Sequence, residues 1–587
     1  MVLPLVLIVI ALLSLAAYTF AELMLTEFRA AIVNQQQAQT RTLAETGAEF
    51  LQDFLKETDE YQLQLGGRYN NPSYFQAVLA ADGELARERG RFSVLSANIN
   101  YGDLAGVRYG VEDESARINL NTILMADSAQ SNGGRTLLMG LPGMTEDVAD
   151  AILDWIDTDD ESREFGAELS YYSGLGYSCK NGPLDTIEEL LLVRGVTPDL
   201  LFGVDANRNG MIDANEANTP SLAESTASSS EVDRGWASYL TLFSVEANVR
   251  PDGTPRIDLN GSDLQQLQED LSNLFEQEWV DFIIAYRQFG PYTGDGQASE
   301  GTTVKLDYSQ PGQTQLTSVL DLVGAKVQVR PPGQQGQQGQ PQDTSGDNGM
   351  IRPRVQNFVG LGIASSFMPL ALLQDRGRGG GGRGEAGGAG GGGGGGGDSG
   401  GGGGQSGNSG QNNQNNQNAG PILQSPFPSD PAALSSILPE LLDHVTVIKS
   451  PMLPGRININ QASEVVLRGI PGMTAEMVQR IIGEREVEST GNMPSHRHEH
   501  WILCEGIVTL DEMKRLQPFI TASGRVFRAQ IVGYFEAEAP ASRVEVVINA
   551  ANVDPMTGLA LPRVVFWRDL TNLGRGYDLA TLGVAAQ

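Results

Sequence analysis

The residues best suited to chemistry stand together in DANRNGMIDANE, Asp205 to Glu216. They fit the calcium-loop template D-x-[DN]-x-[DN]-G-x5-E without a mismatch. Calcium is a hard ion that takes roughly six to eight oxygens at about 2.3–2.6 Å. The spacing supplies them: side-chain oxygens from Asp205, Asn207 and Asn209, the main-chain carbonyl of Met211, a water-bridged Asp213, and two oxygens from Glu216. Gly210 permits the sharp turn. TIEELLLVRGV and DLLFG can form a helix before the loop, but ANTPSLAESTASSS is a poor helix after it. The sequence therefore predicts an isolated calcium loop with a stabilising role.

Other candidate clusters are weaker. DWIDTDDESREFGAE could hold a further ion through Asp157, Asp159, Asp160 or Glu161, but its spacing fits no template and a solvated loop is expected. HRHEH places His496, His498 and His500 in alternation, as on one face of a strand. No fourth zinc ligand is indicated, so an exposed polar loop is expected. Cys179 and Cys504 lie far apart, and spacing neither asserts nor excludes a disulfide. There is no HExxH or phosphate loop, and a non-enzyme is expected. With 72 acidic against 40 basic residues the net charge is −32, which disfavours broad binding of a phosphate backbone.

These residues need a scaffold, and the chain announces one at its start. Met1 to Ala21 carries no charge. Such a run is about 30 Å long as a helix, the thickness of a bilayer core. It has no basic start and a poor cleavage site, which predicts a retained membrane helix rather than a signal peptide. No proline follows Pro4 until Pro72, and Gly47 is the first glycine before Gly66, so one helix of about 60 residues is expected. Residues 90–113 read as two short strands, and RVFRAQIVGYFEAE, SRVEVVINAAN and PRVVFWRDL as three more. Both sets are expected in one sheet packed on the long helix, with everything between inserted.

The insert is helical and repetitive. ARINLNT (116–122) is echoed by PRIDLNG (255–261) and GRININQ (455–461). GLPGMTEDVADAIL is echoed by GIPGMTAEMVQRII. Two or three modules are expected, each resembling a helix-hairpin-helix. Around Pro142 the next charges are Glu146, Asp147 and Asp150, which repel phosphate and point to packing rather than nucleic acid. Residues 331–440 are dense in glycine, glutamine and asparagine and are expected to be disordered.

Several stretches together resemble general secretion pathway protein K, the K-type minor pseudopilin of type II secretion. They are TLAETGAEFLQDF, ARINLNT, LLMGLPGMTEDVADAILDWIDTDDE, NGPLDTIEELLLVRGV, WASYLTLFS and RININQASEVVLRGIPGM. The resemblance implies an α+β, pilin-like fold: a long N-terminal helix on an antiparallel sheet, interrupted by all-α helix-hairpin-helix (SAM-like) modules. The expected organisation is a transmembrane part at 1–21, the periplasmic helix at 22–66, a first pilin-like part at 67–116, and an inserted helical domain with the calcium loop at 117–330. The glycine-rich insert follows at 331–440, a second helical module at 441–522 and a β-rich completion at 523–587. The resemblance also implies calcium binding, location in the bacterial inner membrane with a periplasmic head, and partnership with I- and J-type minor pseudopilins, with possible contacts to secretin or exported proteins. Family precursors carry a basic leader ending in glycine, which is cleaved before methylation of the new N-terminus. With Met1 as that terminus, position five is Leu5, where pilin-like subunits usually have a glutamate. This implies a place at the filament tip, initiating assembly. The competing reading is a membrane-anchored DNA-binding or uptake protein, which the charge opposes.

Overall fold

Freedom from proline and internal breakers lets the N-terminal run form one helix, α1, Val2–Lys56. The computed structural model describes residues 2–97, 106–213, 216, 234–297, 306–329, 420–485, 496–537, 540–554 and 556–584. The first half of α1 is exposed and apolar. Its most apolar window has a mean hydropathy of 2.4 and no buried residue, so it is long and apolar enough to cross a membrane. From Thr40 onward one face is seated: Leu43, Ala44, Ala48, Leu51, Phe54 and Leu55 are buried at helical spacing.

The helix stops ten residues short of the expected boundary at 66. Thr58 is extended and caps a separate short helix, Asp59–Gln64, by accepting from Tyr61 N–H. Asp59 starts that helix and is drawn into ion pairs with Arg68 and Arg525. This pairing turns the chain back toward the sheet, against the local helical preference of the sequence.

Seven strands form that sheet: β1 Val78–Ala81, β2 Gly90–Ala97, β3 Val107–Tyr109, β4 Glu112–Asp113, β5 Val526–Phe535, β6 Ser542–Asn549 and β7 Arg563–Asp569. The main order is β1-β2-β5-β6-β7, with β3 on β2 and β4 on β5, all antiparallel. β2 and β5 are sequence-distant yet adjacent, pairing Ile531 with Val94. The two expected sets of strands therefore share one sheet, and residues 114–525 are inserted between neighbours. Residues 90–113 hold three strands rather than two.

α1 approaches this sheet closely. A Cβ at Gly47 would lie 2.6 Å from Ile531 Cγ2, and a Cβ at Gly533 would meet the α1 backbone at Thr40 and Ala44. Phe92, Val94, Phe527, Ile531, Val544, Val546 and Ile548 complete this core. The other sheet face is covered too, where Leu95, Val532 and Tyr534 pack with Tyr577, Leu582 and Met211.

The insert contains three repeats built alike. Each opens on a two-residue strand from the echoed motif: Ile118–Asn119, Ile257–Asp258 and Ile457–Asn458. Each strand pairs in parallel with a later one that ends in threonine: Leu240–Thr241, Val445–Thr446 and Ile520–Thr521. In all three a carboxylate or amide accepts the N–H two residues on, from Asn121, Asn260 and Asn460. Those asparagines then clip distant main chain, such as Leu184, Leu316 and Ala522. The middle repeat runs across the glycine-rich stretch. Ile422–Gln424 pairs with Lys326–Gln328, and the helix Pro431–His444 leads into Val445–Thr446. Residues 420–446 thus complete the second repeat, correcting the expected division at 331–440 and 441–522. Residues 330–419, on which the expectation of disorder falls, lie outside the described residues.

The first and third repeats meet through their hairpins, Gly133–Met139 with Glu146–Ile156 and Glu464–Arg468 with Ala475–Glu484. A Cβ at Gly140 would lie 2.6 Å from Gly469 Cα. Asp113, at the end of β4, is fully buried and accepts from Gly524 N–H (2.7 Å), Asn458 (2.8 Å) and Ser115 N–H (2.8 Å). One carboxylate thereby ties the entry of the insert to its exit.

Candidate functional site

The Asp205–Glu216 loop follows a short helix, Pro198–Phe202, closed by Gly203 with φ +62°. The expected helix at TIEELLLVRGV is a 3-10 turn, Ile187–Leu192. The loop curls around its own carboxylates. Asp205 accepts from the N–H groups of Asn209 (3.2 Å) and Gly210 (2.8 Å). Glu216 accepts from those of Asn207 (3.2 Å) and Asp213 (3.0 Å). Gly210 has φ +76°, the left-handed turn the template requires. Asp205, Asn209 and Glu216 are all buried. Burial pushes the Asp205 carboxyl up to about 6, with the Glu216 charge adding to the rise.

The loop is also anchored to the sheet. Gln530 donates to Arg208 O at 2.6 Å, Asn209 Nδ2 to Gly576 O at 2.7 Å, and Tyr577 Oη to Asn209 O at 3.3 Å. Glu188 holds Arg208 (3.0 Å) and Arg568 (2.8 Å) together. Oxygens dominate the donor set, as a hard divalent ion requires. Two amides face the other way: Asn207 and Asn209 donate from Nδ2 to Asp213 at 2.6 and 3.1 Å. Presenting their oxygens takes a half-turn of each amide, which for Asn209 exchanges its bond to Gly576. Residues 214, 215 and 217–233 lie outside the described residues.

Three acidic side chains converge elsewhere. Asp154, Asp157 and Glu168 place ligand oxygens within 4.8 Å of one another. Asp154 and Glu168 are buried. Burial drives Asp154 up to about 6 and Asp157 up to about 7, and the charges of Asp159, Asp154 and Glu168 add to the latter. Of the four carboxylates weighed in this segment, Asp157 alone joins the cluster. Asp159 instead accepts from Glu161 N–H, and Asp160 from Asn181. Asp154 and Glu168 escaped the sequence reading because no template links their spacing. A legible sign was Asp150 and Asp154, carboxylates one turn apart on the apolar face of AILDWI.

The histidines are a correction. They are not on an exposed loop but packed. His496 Nε2 meets Glu505 at 2.8 Å and its ring stacks on Trp501 at 4.1 Å. His498 Nε2 meets Asp443 at 2.8 Å. His500 is fully buried, and burial lowers it to about 4. Trp501 is local, but Asp443 and Arg456 arrive from distant chain, which no local pattern encodes. Cys179 and Cys504 are both free thiols.

The hairpin tips are occupied by the chain itself. Pro142 O accepts from Trp236 Nε1 at 2.7 Å, while a Cβ at Gly143 would lie 3.6 Å from Leu200 and one at Gly472 3.8 Å from Leu516. Leu5 is exposed on the apolar run, and Met1 lies outside the described residues.

The architecture defines an α+β protein whose long apolar N-terminal helix carries a head made of an antiparallel sheet and inserted helices. Residues 116–203 match the family model described as type II secretion system (T2SS), protein K, a likeness that supports a role in type II secretion. No curated protein matches the chain. The match covers the opening strand and the hairpin of the first repeat with the Asp154 cluster and stops just before Asp205.

Proposed function

We propose that this protein is a minor pseudopilin at the tip of the type II secretion pseudopilus, initiating its assembly with I- and J-type subunits and supporting export across the outer membrane. The observation that carries the reading is the division of α1. Its first half is apolar and exposed among the described residues, while its second half is locked to the sheet. Exposed apolar surface on that scale requires lipid or other apolar helices. In this reading the helix sits in the inner membrane and the head in the periplasm. The bulk of three repeats is tolerated at a filament end. Contacts of the head with secretin or cargo belong to the same reading.

The role is assembly rather than catalysis, and Asp205–Glu216 holds a structural calcium ion, with Asp205, Asn207, Asn209, Met211, Asp213 and Glu216 as ligands. Nucleic acid is disfavoured by charge and by hairpin glycines turned onto Leu200 and Leu516. The test is co-purification of the tagged chain with I- and J-type subunits. Their absence, with the head folded and expressed, counts against the tip. Salt-sensitive retardation of DNA by the head would favour the uptake reading instead.

A further inference from the structure

The geometry points to a protein-docking prong on the first repeat, the turn at residues 171–177, which takes a partner surface whose apolar pocket is ringed by lysine and arginine. The segment YYSGLGY carries tyrosine and leucine that a core could use, yet Tyr172 alone is buried in it. Tyr172 fixes the turn from below. Its ring meets Trp155 edge-on at 5.0 Å, and its Oη accepts from Arg194 N–H at 3.2 Å. Gly176, with φ +90°, closes the 3-10 turn Ser173–Leu175. A Cβ at Gly174 or Gly176 would meet nothing within 4 Å, so the turn stands clear of the described chain around it. Leu175, between these two glycines, is 57 % exposed.

Exposed apolar groups gather around the turn. Tyr177 Oη donates to Leu192 O at 2.9 Å, which sets Leu192 beside it. Arg194 lies over the Tyr171 ring at 5.5 Å and donates to Phe165 O, which brings Phe165 to the same place. Phe165, Tyr171, Leu175, Tyr177 and Leu192 are all exposed. An apolar patch on a fixed backbone gains by being covered and loses little freedom when a partner covers it. Charge selects the partner. Residues 139–199 hold 14 acidic and 3 basic side chains. The three cations are already engaged: Arg163 with Asp127 at 3.1 Å, Lys180 with Asp185 and Glu189 at 2.8 Å, and Arg194 with Asp147 O at 3.3 Å. Glu146, Asp147 and Glu164 are exposed close to these groups. This field repels a second copy, whose net charge is also −32, and anionic lipid, and it draws a basic protein surface. The inference rests on the reading in which the head meets another protein of the export route, and it names what that surface must offer.

The experiment uses the full chain in nanodiscs of phosphatidylcholine and two fluorescent peptides, one alternating leucine with lysine and the other leucine with glutamate. The lysine peptide should bind and the glutamate peptide should not. Leu175→Ser should weaken that binding on the order of tenfold, while Met556→Ser, on an exposed turn elsewhere, should leave it unchanged. Equal binding by Leu175→Ser, or by the glutamate peptide, overturns the proposal. Leu175→Trp emission that shifts to the blue with phosphatidylcholine vesicles would assign the turn to lipid and overturn the protein partner. In cells, Leu175→Ser with Leu192→Ser should lower export several-fold while co-purification with I- and J-type subunits stays at the parent's level. Unchanged export overturns the prong. Loss of co-purification in the parent itself is the separate result that counts against the tip.

Discussion

At the residue scale, acidic groups divide into those matched by cations and those left unmatched. Asp59, Glu114 and Glu499 are matched. Burial alone would raise Glu499, but Arg456, His500 and His498 outweigh it and hold it down at about 2. His500 goes the opposite way from a surface histidine. Burial lowers it from 6.5 to about 4, and both ring nitrogens lack partners among the described residues. A histidine buried neutral binds fewer protons when folded than unfolded between those values. Its contribution is whole above pH 6.5 and is lost as pH falls through 4, on the order of 3 kcal/mol. The depressed Glu499 acts with the same sign at lower pH. Between pH 6.5 and 4 this loss opposes the gain from Asp154, Asp157 and Asp205, whose raised carboxyls favour the fold as pH falls, so the His500 effect is read as a difference between two chains. His500→Leu should gain stability relative to the parent as pH falls from 6.5 to 4 in thermal melts, and a difference that stays constant with pH would exclude His500 as a source of acid lability. For the Asp205 loop, added calcium should raise the melting temperature, and Asp205→Ala with Glu216→Ala should abolish the rise. A site occupied at 100 times its dissociation constant contributes about 2.7 kcal/mol, so an unchanged melt in calcium would reject the loop as a binding site.

At the element scale, two close approaches decide how pieces fit. Gly533 lets β5 touch the α1 backbone at Thr40 and Ala44, and neither partner is a side chain that can swing away. Gly533→Val should cost about 1–3 kcal/mol or more through overpacking, seen as a lower denaturant midpoint. Gly533→Ala should fall between. The hairpin contact is similar, as Gly140 meets Gly469 backbone to backbone. Gly140→Val should loosen the first repeat from the third and expose Val465 to hydrogen exchange, whereas a surface change such as Gly174→Ala, facing open space, should have no effect. The large side chains under α1 stabilise its seating. Leu51, Phe54 and Leu55 are 1–2 % exposed, and each fully buried side chain of this kind is worth about 1.5–3 kcal/mol.

At the scale of the whole molecule, the membrane-length half of α1 and the head are energetically separable. Every described residue from Leu3 to Gln35 is exposed. Removing residues 1–34 should therefore leave the melting temperature of the head within a degree or two, while converting a detergent-requiring protein into a water-soluble one. A large loss of stability would show that the apolar half folds back on the head. The same truncation should abolish co-purification with I- and J-type subunits if the helix bundle is the joint.

The sequence by itself determined the features that repeat or persist along the chain. An uncharged N-terminal run can only be a long apolar helix, and alternating strands flanked by turn residues can only pair in a sheet. The motif RI[ND][LI]N, seen three times, encodes its own Asx turn, so the repeats were legible from local chemistry. The Asp205–Glu216 turn was legible for the same reason, because the bonds that close it join residues of one loop. Tertiary structure decided whatever depends on chain meeting chain at a distance. The break after Lys56 follows from Arg525 reaching Asp59, and the middle repeat closes across residues 330–419 because Val445 pairs with Ile257. The histidines are packed because Asp443 and Arg456 reach them from distant chain. The Asp154–Asp157–Glu168 cluster forms because a loop brings Glu168 back to a helix end. Local propensity acts within a few residues, whereas burial and charge pairing act across hundreds, and only folding brings those partners together.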